Sequence, residues 1–361
     1  MSGGTTSVIN ATLAGIIDAA RESPSINKIY AGHPGILGTL SQNLLDLTNA
    51  PTHTLKRSPG SALIGTTRVG ILNNNDLDVL SGVFKKYGIK YFVNIGGNGT
   101  IKQSKLISSS IDSVNIAAVP KTVDNDLGDA AFEDLWFTVG FPSCVNFWYH
   151  KTKMLNNENL GAYTHDKVII AQTFGRKTGF LAGSLRTFDP DRKLPLILLL
   201  PEDQQPPEKV IGKIENTLIQ HDRAIVGICE GYGVSDCNFV YDKTGQAMYG
   251  SSGSSAMQQL INLCVKSGIQ ARGYNPTIDQ RQNFEHTVDF DINLSYSIGR
   301  EVVTNFNLGI NNFFQSYSRK GLISIDLKDI DGFSREMKKE WIDTGNFDVS
   351  DNYIKYLRDI K

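Results

Sequence analysis

"YFVNIGGNGTIKQSKL", residues 91–106, sets a run of Tyr, Phe, Val and Ile directly against Gly96, Gly97, Asn98, Gly99 and Thr100 before a helical stretch begins. A strand that ends in a glycine turn and passes into a helix is the repeating unit of an α/β fold. The same kind of short β-branched run recurs in "NIAAVP" (115–120), "KVIIAQTF" (167–174), "LPLILLL" (194–200) and "RAIVGICE" (223–230), each ending in a polar or glycine-rich turn. Between such runs lie helical spacings, such as Ile9, Leu13, Ile16, Ile17 and Ala20. The expectation is an α/β protein with largely parallel sheets, whose ligands sit at the carboxyl ends of the strands.

A chain of 361 residues has room for two lobes, each with its own core. Lysine and arginine total 36 against 37 acids, a net charge of −1, which offers no global field for nucleic acid or an acidic membrane surface. Any anion site is therefore local. Cys144, Cys229, Cys237 and Cys264 form no CxxC pair, and the start is not signal-like, so the reading is a reduced, cytoplasmic protein. No apolar run approaches the roughly 18 residues of a membrane helix. The tail "EMKKEWIDTGNFDVSDNYIKYLRDIK" (336–361) carries periodic Trp, Ile, Tyr and Leu and is expected to dock as a surface helix.

Two glycine loops, Gly3-Gly4 and Gly96-Gly97-Asn98-Gly99-Thr100, let backbone N–H groups approach an anion at a helix start. A tight turn needing positive φ accounts for either loop taken alone. "VPKTVDNDLGD" (119–129) says more, because a strand ends in Pro120 and at once presents Lys121, Thr122, Asp124 and Asp126. Carboxylates two apart can divide proton acceptance from metal binding while a lysine neutralises a transferred phosphoryl group. Solvated acids in an Asx-turn are the plainer alternative. In "TFGRKTGFLAG" (173–183), Arg176 beside glycines can clamp a phosphate, and in "ICEGYG" (228–233) Glu230 can accept from sugar hydroxyls. A loop arginine and a capping glutamate fit those positions as well. Arg68 follows the serine- and glycine-rich "SPGSALIGTT". His165 has no second histidine at metal-ligand spacing and reads as structural.

Taken in order, "SGGTTSVIN", "SPGSALIGTTR", "IGGNGT", "PKTVDND", "FGRKTGFLAG", "CEGYG" and "DQR" resemble the phosphofructokinase family over nearly the whole chain. Its pyrophosphate-dependent branch is the nearer in appearance. The resemblance implies two facing three-layer α/β lobes. It assigns 1–135 plus about 288–330 to the phosphoryl donor and about 136–287 plus 331–361 to the sugar phosphate. It implies Mg²⁺-dependent transfer to the C1 hydroxyl of fructose 6-phosphate, from pyrophosphate or, as the alternative, from ATP. In that scheme Asp124 is the base and Lys121 and Arg176 neutralise charge. Thr122, Asp126, Lys167, Phe174, Gly175, Glu230 and Arg281 contact the sugar phosphate. Gly3, Gly4, Arg68, Gly97, Asn98, Gly99 and Thr100 hold the donor, and Asn98 and Asp126 are the candidate metal ligands. Arg281 is expected to reach the sugar phosphate of an adjacent subunit, which implies a homodimer or homotetramer.

The chain departs from the family pattern at several points. Asn98 and Gly99 stand where relatives carry an acid at one position or the other, and Gln103 replaces a glycine that makes room for a nucleotide, which is expected to narrow the adenine side. Lys167 stands for an arginine, Gln172 for a glutamate and Phe174 for a methionine. Ala14 and Asp18 replace effector arginines, so no ADP-type activation is expected. Met1-Ser2 leads straight into Gly3-Gly4, so the strand expected before this loop is missing and the sheet should have an open edge or a gap. These losses motivate a rival reading, a sugar-phosphate-binding or regulatory protein of weak catalytic power.

Overall fold

The computed structural model describes residues 1–60, 63–70, 72–127, 136–162, 164–234, 241, 247, 249, 255–330 and 334–360. In chain order the elements begin α1 (Ile9–Glu22), β1 (Tyr30–Gly32), α2 (Gly35–Leu40), β2 (Leu44–Asp46), α3 (Thr52–Lys56), α4 (Asn74–Tyr87), β3 (Tyr91–Gly96), α5 (Asn98–Ser110) and β4 (Asn115–Pro120). Then come α6 (Phe141–Gly161), β5 (Val168–Thr173), α7 (Phe180–Ser184), β6 (Leu196–Leu199), α8 (Pro207–His221), β7 (Ala224–Cys229), α9 (Ala256–Lys266) and β8 (Ala271–Tyr274). The last are α10 (Asp279–Gln282), α11 (Asp289–Asn307), β9 (Phe313–Ser318), β10 (Gly321–Asp326), β11 (Ile342–Asp343), β12 (Asp348–Val349) and α12 (Asp351–Asp359). All five sequence runs read as strands are strands.

The chain divides into two units, Met1–Ser143 with Arg281–Arg335 and Cys144–Gln280 with Glu336–Lys361. In the first, the sheet order is β10-β9-β4-β3, with β3, β4 and β9 parallel and β10 returning antiparallel from β9. Ile116 and Ala118 of β4 meet Ile101 and Ile107 of α5, Leu80 and Phe84 of α4, and Phe314 of β9 in one core. The hand-over from β3 to α5 depends on Gly96, where a Cβ would lie 2.0 Å from Thr100 Oγ1. Helices α1 and α11 cross so closely that a Cβ on Gly15 would lie 2.0 Å from the Tyr296 carbonyl oxygen.

Among the described residues β3 is an end strand, so the expected open edge is present. The Ser2 amide reaches it, donating to the Ile95 carbonyl at 2.9 Å, while Ser2 pairs with Thr67. Beside this edge lies a cavity of about 420 Å³ lined by Met1, Leu13, Tyr91, Val93, Ile95 and Phe306.

The second unit holds a fully parallel sheet in the order β6-β7-β5-β8. Strands β5, β6 and β7 are buried along their length, Val168, Ile170, Val226 and Ile228 packing with Ile197, Leu199, Ile214 and Leu260. The tail is more varied than one helix: the short pair β11–β12 precedes α12, which buries Tyr353, Ile354, Tyr356 and Leu357. The Tyr353 hydroxyl donates to the Phe180 carbonyl at 2.6 Å, and Trp341 stacks on Tyr356 with ring centroids 4.6 Å apart. No helix among the described residues is long and apolar enough to cross a membrane.

Candidate active site

In the first unit, the carboxyl ends of β3 and β4 lie side by side, Gly96 pairing with Pro120, so the glycine turn and the lysine–aspartate loop emerge together. The Lys121 amide donates to the Gly96 carbonyl at 3.0 Å, and the Lys121 ammonium donates to the Gly4 carbonyl. Lys121 thus ties both glycine loops to the lysine–aspartate segment. Its side chain is only 4 % exposed. Burial, then the Arg281 guanidinium and more weakly Arg68, push its pKa down to about 7 against the pull of Asp124 and Asp126. Five of the expected residues therefore share one electrostatic neighbourhood.

Arg281, on α10, lies over the first glycine loop of its own chain: a Cβ on Gly4 would come within 2.5 Å of its guanidinium nitrogen. Gly3 adopts φ +78° and donates to the Thr67 carbonyl at 3.0 Å, which holds the turn beside Arg68.

The loop after β4 is shaped by its own polar groups. The Asp124 amide donates to Thr122 Oγ1 at 3.2 Å and leaves Asp124 half-buried, whereas Asn125 is fully buried. Asn125 takes φ +57°, a left-handed conformation that asparagine tolerates better than most residues, and its side-chain Oδ1 accepts from the Thr138 amide at 2.9 Å. Asp126 is 5 % exposed, and its main-chain carbonyl accepts from the Arg335 amide at 2.8 Å.

Asn98, at the start of α5, turns its amide nitrogen to Asp126. It donates to the Asp126 carbonyl at 3.2 Å, to its carboxylate at 3.5 Å and to Ser334 Oγ at 3.3 Å. Asn98 Oδ1 is buried with no hydrogen-bond partner. An orphaned amide oxygen beside an aspartate fits Mg²⁺, which takes one or two protein oxygens and completes its shell from phosphate and water. It does not fit a metal held by the protein alone, and no cluster of three His, Cys, Asp or Glu is present among the described residues.

Gly99 is exposed and a Cβ there meets nothing within 4 Å, so packing does not explain its lack of an acid. Thr100 is buried under the turn. Gln103 is buried, and its side-chain carbonyl accepts from Asn94 Nδ2 on β3 at 3.1 Å.

In the second unit, Phe174, Gly175 and Arg176 follow β5 and Glu230 follows β7, the two neighbouring strands ending level with Thr173 opposite Cys229. Gly175 has φ +133° and Arg176 φ +53°, and the Arg176 amide donates to Glu230 Oε1 at 3.2 Å. A left-handed arginine is a strained backbone that its surroundings must enforce. Gly231 enforces it by close approach, because a Cβ there would stand 1.6 Å from the Arg176 carbonyl oxygen.

Lys167 is not brought to this group. It precedes β5, at the opposite end of the strand from Arg176, and pairs with Asp222 at 2.6 Å. His165 lies on the surface, 3.0 Å from Asp166, which also pairs with Arg272 at 2.9 Å.

The structure adds residues that the motifs did not single out. Gln280 is buried and its Oε1 accepts from the Phe174 amide at 2.9 Å and from Trp148 Nε1 at 3.2 Å. Its only signal was its place beside Arg281. Tyr249 interacts electrostatically with Arg176 and Glu230, and burial raises its hydroxyl pKa. Ser334 and Arg335 buttress Asn98 and Asp126 from far along the chain, with no local pattern to mark them.

Comparison with known proteins places the chain in a family. The Phosphofructokinase family pattern matches residues 1–290. A pyrophosphate–fructose 6-phosphate 1-phosphotransferase of Rhodospirillum rubrum is 28 % identical over 99 % of this chain and 91 % of its own. One from Methylococcus capsulatus is 24 % identical over 99 % of this chain and 89 % of its own. The crystal structure of a pyrophosphate-dependent phosphofructokinase from Nitrosospira multiformis superposes with a TM-score of 0.85 at 24 % identity, covering 99 % of this chain and 90 % of that one, and so shares its fold. With the family motifs in order and the fold in common, the chain belongs to the phosphofructokinase family.

Proposed function

We propose that the protein transfers a phosphoryl group from pyrophosphate to the 1-hydroxyl of fructose 6-phosphate, giving fructose 1,6-bisphosphate and orthophosphate. The observation that carries this reading is the convergence of Lys121, Asp124 and Asp126 with the Gly3-Gly4 and Gly97–Thr100 loops at two adjacent strand ends. Relatives that match the whole chain bear this activity in their names.

Asp124 takes the proton of the attacking hydroxyl, and the oxygen displaces orthophosphate from the terminal phosphorus. Lys121, Arg68 and Arg281 offset the charge of the donor, with Gly3, Gly4, Gly97, Gly99 and Thr100 supplying backbone around it. Asn98 and Asp126 are the residues that would hold Mg²⁺, which when bound screens the charge of the donor phosphates. Thr122, Phe174, Gly175 and Glu230 hold the sugar, and Arg176 neutralises the transferred group. In this reading the first unit takes the donor and the second the sugar phosphate.

Lys167 stands at the other end of a strand about 20 Å long from Arg176, at ~3.3 Å per residue. It serves the sugar phosphate only when presented by a neighbouring copy, which makes a homodimer or homotetramer part of the proposal. Cys144, Cys229 and Cys264 are buried thiols, in keeping with a reducing, cytoplasmic setting.

Two alternatives rest on specific positions. Gly99 leaves open space that an ATP-using site needs. Asn98 gives up an acid at the metal, which favours a binding protein of weak catalytic power. Initial rates on fructose 6-phosphate and Mg²⁺, with pyrophosphate and ATP in parallel, separate the three. Turnover with pyrophosphate is the expected result. Turnover with ATP alone overturns the donor, and saturable sugar-phosphate binding without turnover overturns the enzyme.

A further inference from the structure

Asp291, near the start of α11, is fully buried and its partners are neutral donors. It accepts from the Gly140 amide on both oxygens, at 3.0 and 3.1 Å, and from the Ser143 amide at 3.2 Å and hydroxyl at 2.6 Å. A buried carboxylate held by neutral groups is costly, and an asparagine of the same shape would fill the space more cheaply. The carboxylate does one thing the amide cannot, which is to accept on both oxygens from N–H donors.

What it holds is the shelf behind the phosphoryl-transfer loop. Gly140 forms a parallel bridge with Thr122, and a Cβ on Gly140 would lie 3.5 Å from the Thr122 carbonyl oxygen and 3.1 Å from Thr6 Cγ2. Two residues earlier, the Thr138 amide donates to the buried Asn125 side-chain Oδ1 at 2.9 Å. Thr138–Gly140 therefore grips the loop on both sides of Asp124, and Asp291 grips the shelf. Ser143 completes the clamp, its hydroxyl accepting from the Val288 amide at 3.3 Å, beside α11.

We propose that Asp291 is a positioning residue for the phosphoryl-transfer reaction, fixing Thr122 and thereby Asp124 through the Gly140 amide. The proposal rests on the functional reading above and goes beyond it, since Asp291 touches neither substrate nor reacting atoms. Burial raises its carboxyl pKa to about 6, opposed by the bonds from Ser143 and Gly140, in keeping with a carboxylate kept for its geometry.

The test is Asp291→Asn in the full chain, with Ser143→Ala as a second variant that keeps the Gly140 bond. Amide hydrogen exchange at Thr122–Asp126 is compared with exchange in β5, and kcat and KM are measured well below each melting temperature. The expected result for Asp291→Asn is at least tenfold faster exchange confined to the loop and its shelf, with kcat lowered at least tenfold and both KM values within twofold. Ser143→Ala is expected to change kcat by less than threefold. Unchanged loop exchange in Asp291→Asn overturns the positioning role whether or not the wild type turns over. Faster exchange with unchanged kcat overturns its link to the reaction. A wild type inactive with either donor overturns the functional reading, while the exchange result still decides the clamp.

Discussion

Asn98 donates from its amide nitrogen to the carbonyl of Asp126 at 3.2 Å while its own Oδ1 is buried without a partner. The amide thus sits where a second acid would face both a carbonyl oxygen and a carboxylate. Asn98→Asp is expected to destabilise the metal-free protein by roughly 1–3 kcal/mol, the cost of burying unmatched acceptors together. Saturating Mg²⁺ is expected to reverse the loss, because two carboxylates attract the ion that one carboxylate and an amide hold weakly. Thermal melts across a Mg²⁺ titration check this: the variant's midpoint should climb steeply with metal and the wild type's only slightly.

Gly99 is the second residue of α5 and faces open space, so Gly99→Asp should fold without strain. Replacing a helical glycine and adding an acid near a helix N-terminus should stabilise by about 0.5–1 kcal/mol. The carboxylate enters the space before the donor loop, so any ATP turnover should fall at least tenfold more than pyrophosphate turnover. Parallel assays with the two donors, beside a melting curve, read both effects.

Lys121 gives a pH signature with a defined sign. Its folded pKa of about 7 lies below its ordinary value of 10.5, so between pH 7 and 10.5 the unfolded chain binds the extra proton and stability rises with pH. Below pH 7 the lysine is charged in both states and the full cost of burying it is present. For catalysis the sign is opposite: the cation that meets the donor is lost above pH 7, so kcat/KM for the donor should fall there. Lys121→Met should flatten the stability slope over that window and lower kcat at least a hundredfold. Denaturant melts and rate profiles from pH 6 to 10 measure the two halves.

In the second unit, Glu230 accepts from the Arg176 amide with one oxygen at 3.2 Å, and the account has its carboxylate also take a sugar hydroxyl. Hydrogen bonds to a charged acceptor are worth about 1.5–3 kcal/mol, so Glu230→Gln should raise the KM for fructose 6-phosphate roughly 10- to 100-fold. The KM for the donor should stay within twofold. Gly231→Ala should lose sugar binding more severely, since its Cβ would strike the Arg176 carbonyl oxygen. Steady-state kinetics varied in each substrate separate the two.

The strands were legible because "YFVNI", "NIAAVP" and "VIIAQT" are short β-branched runs whose chain ends are marked by glycine, proline or a charge. Lys121, Asp124 and Asp126 were legible for the same reason, since a strand end fixes where such residues point. Spacing could not tell that Asn94, nine residues earlier on β3, hydrogen-bonds the side-chain carbonyl of Gln103. The closeness of Arg281 to Gly4 was not legible, because only the fold brings α10 over the first glycine loop. Ser334 and Asp291 left no sequence signal at all: the Ser334 hydroxyl meets the Asn98 side chain, and the Asp291 carboxylate meets Gly140 and Ser143, only because the chain returns to the first unit. Cys237 and part of the "SPGSALIGTTR" and "KTVDNDLGD" segments lie outside the described residues.

The most direct test is transfer of labelled phosphate from pyrophosphate to fructose 6-phosphate by the wild type and by Asp124→Asn, run side by side with Mg²⁺. The account predicts label in fructose 1,6-bisphosphate from the wild type and a loss of at least a thousandfold in the variant, with sugar-phosphate binding retained. Equal transfer by the two proteins, or none by a wild type that still binds the sugar phosphate, would contradict it.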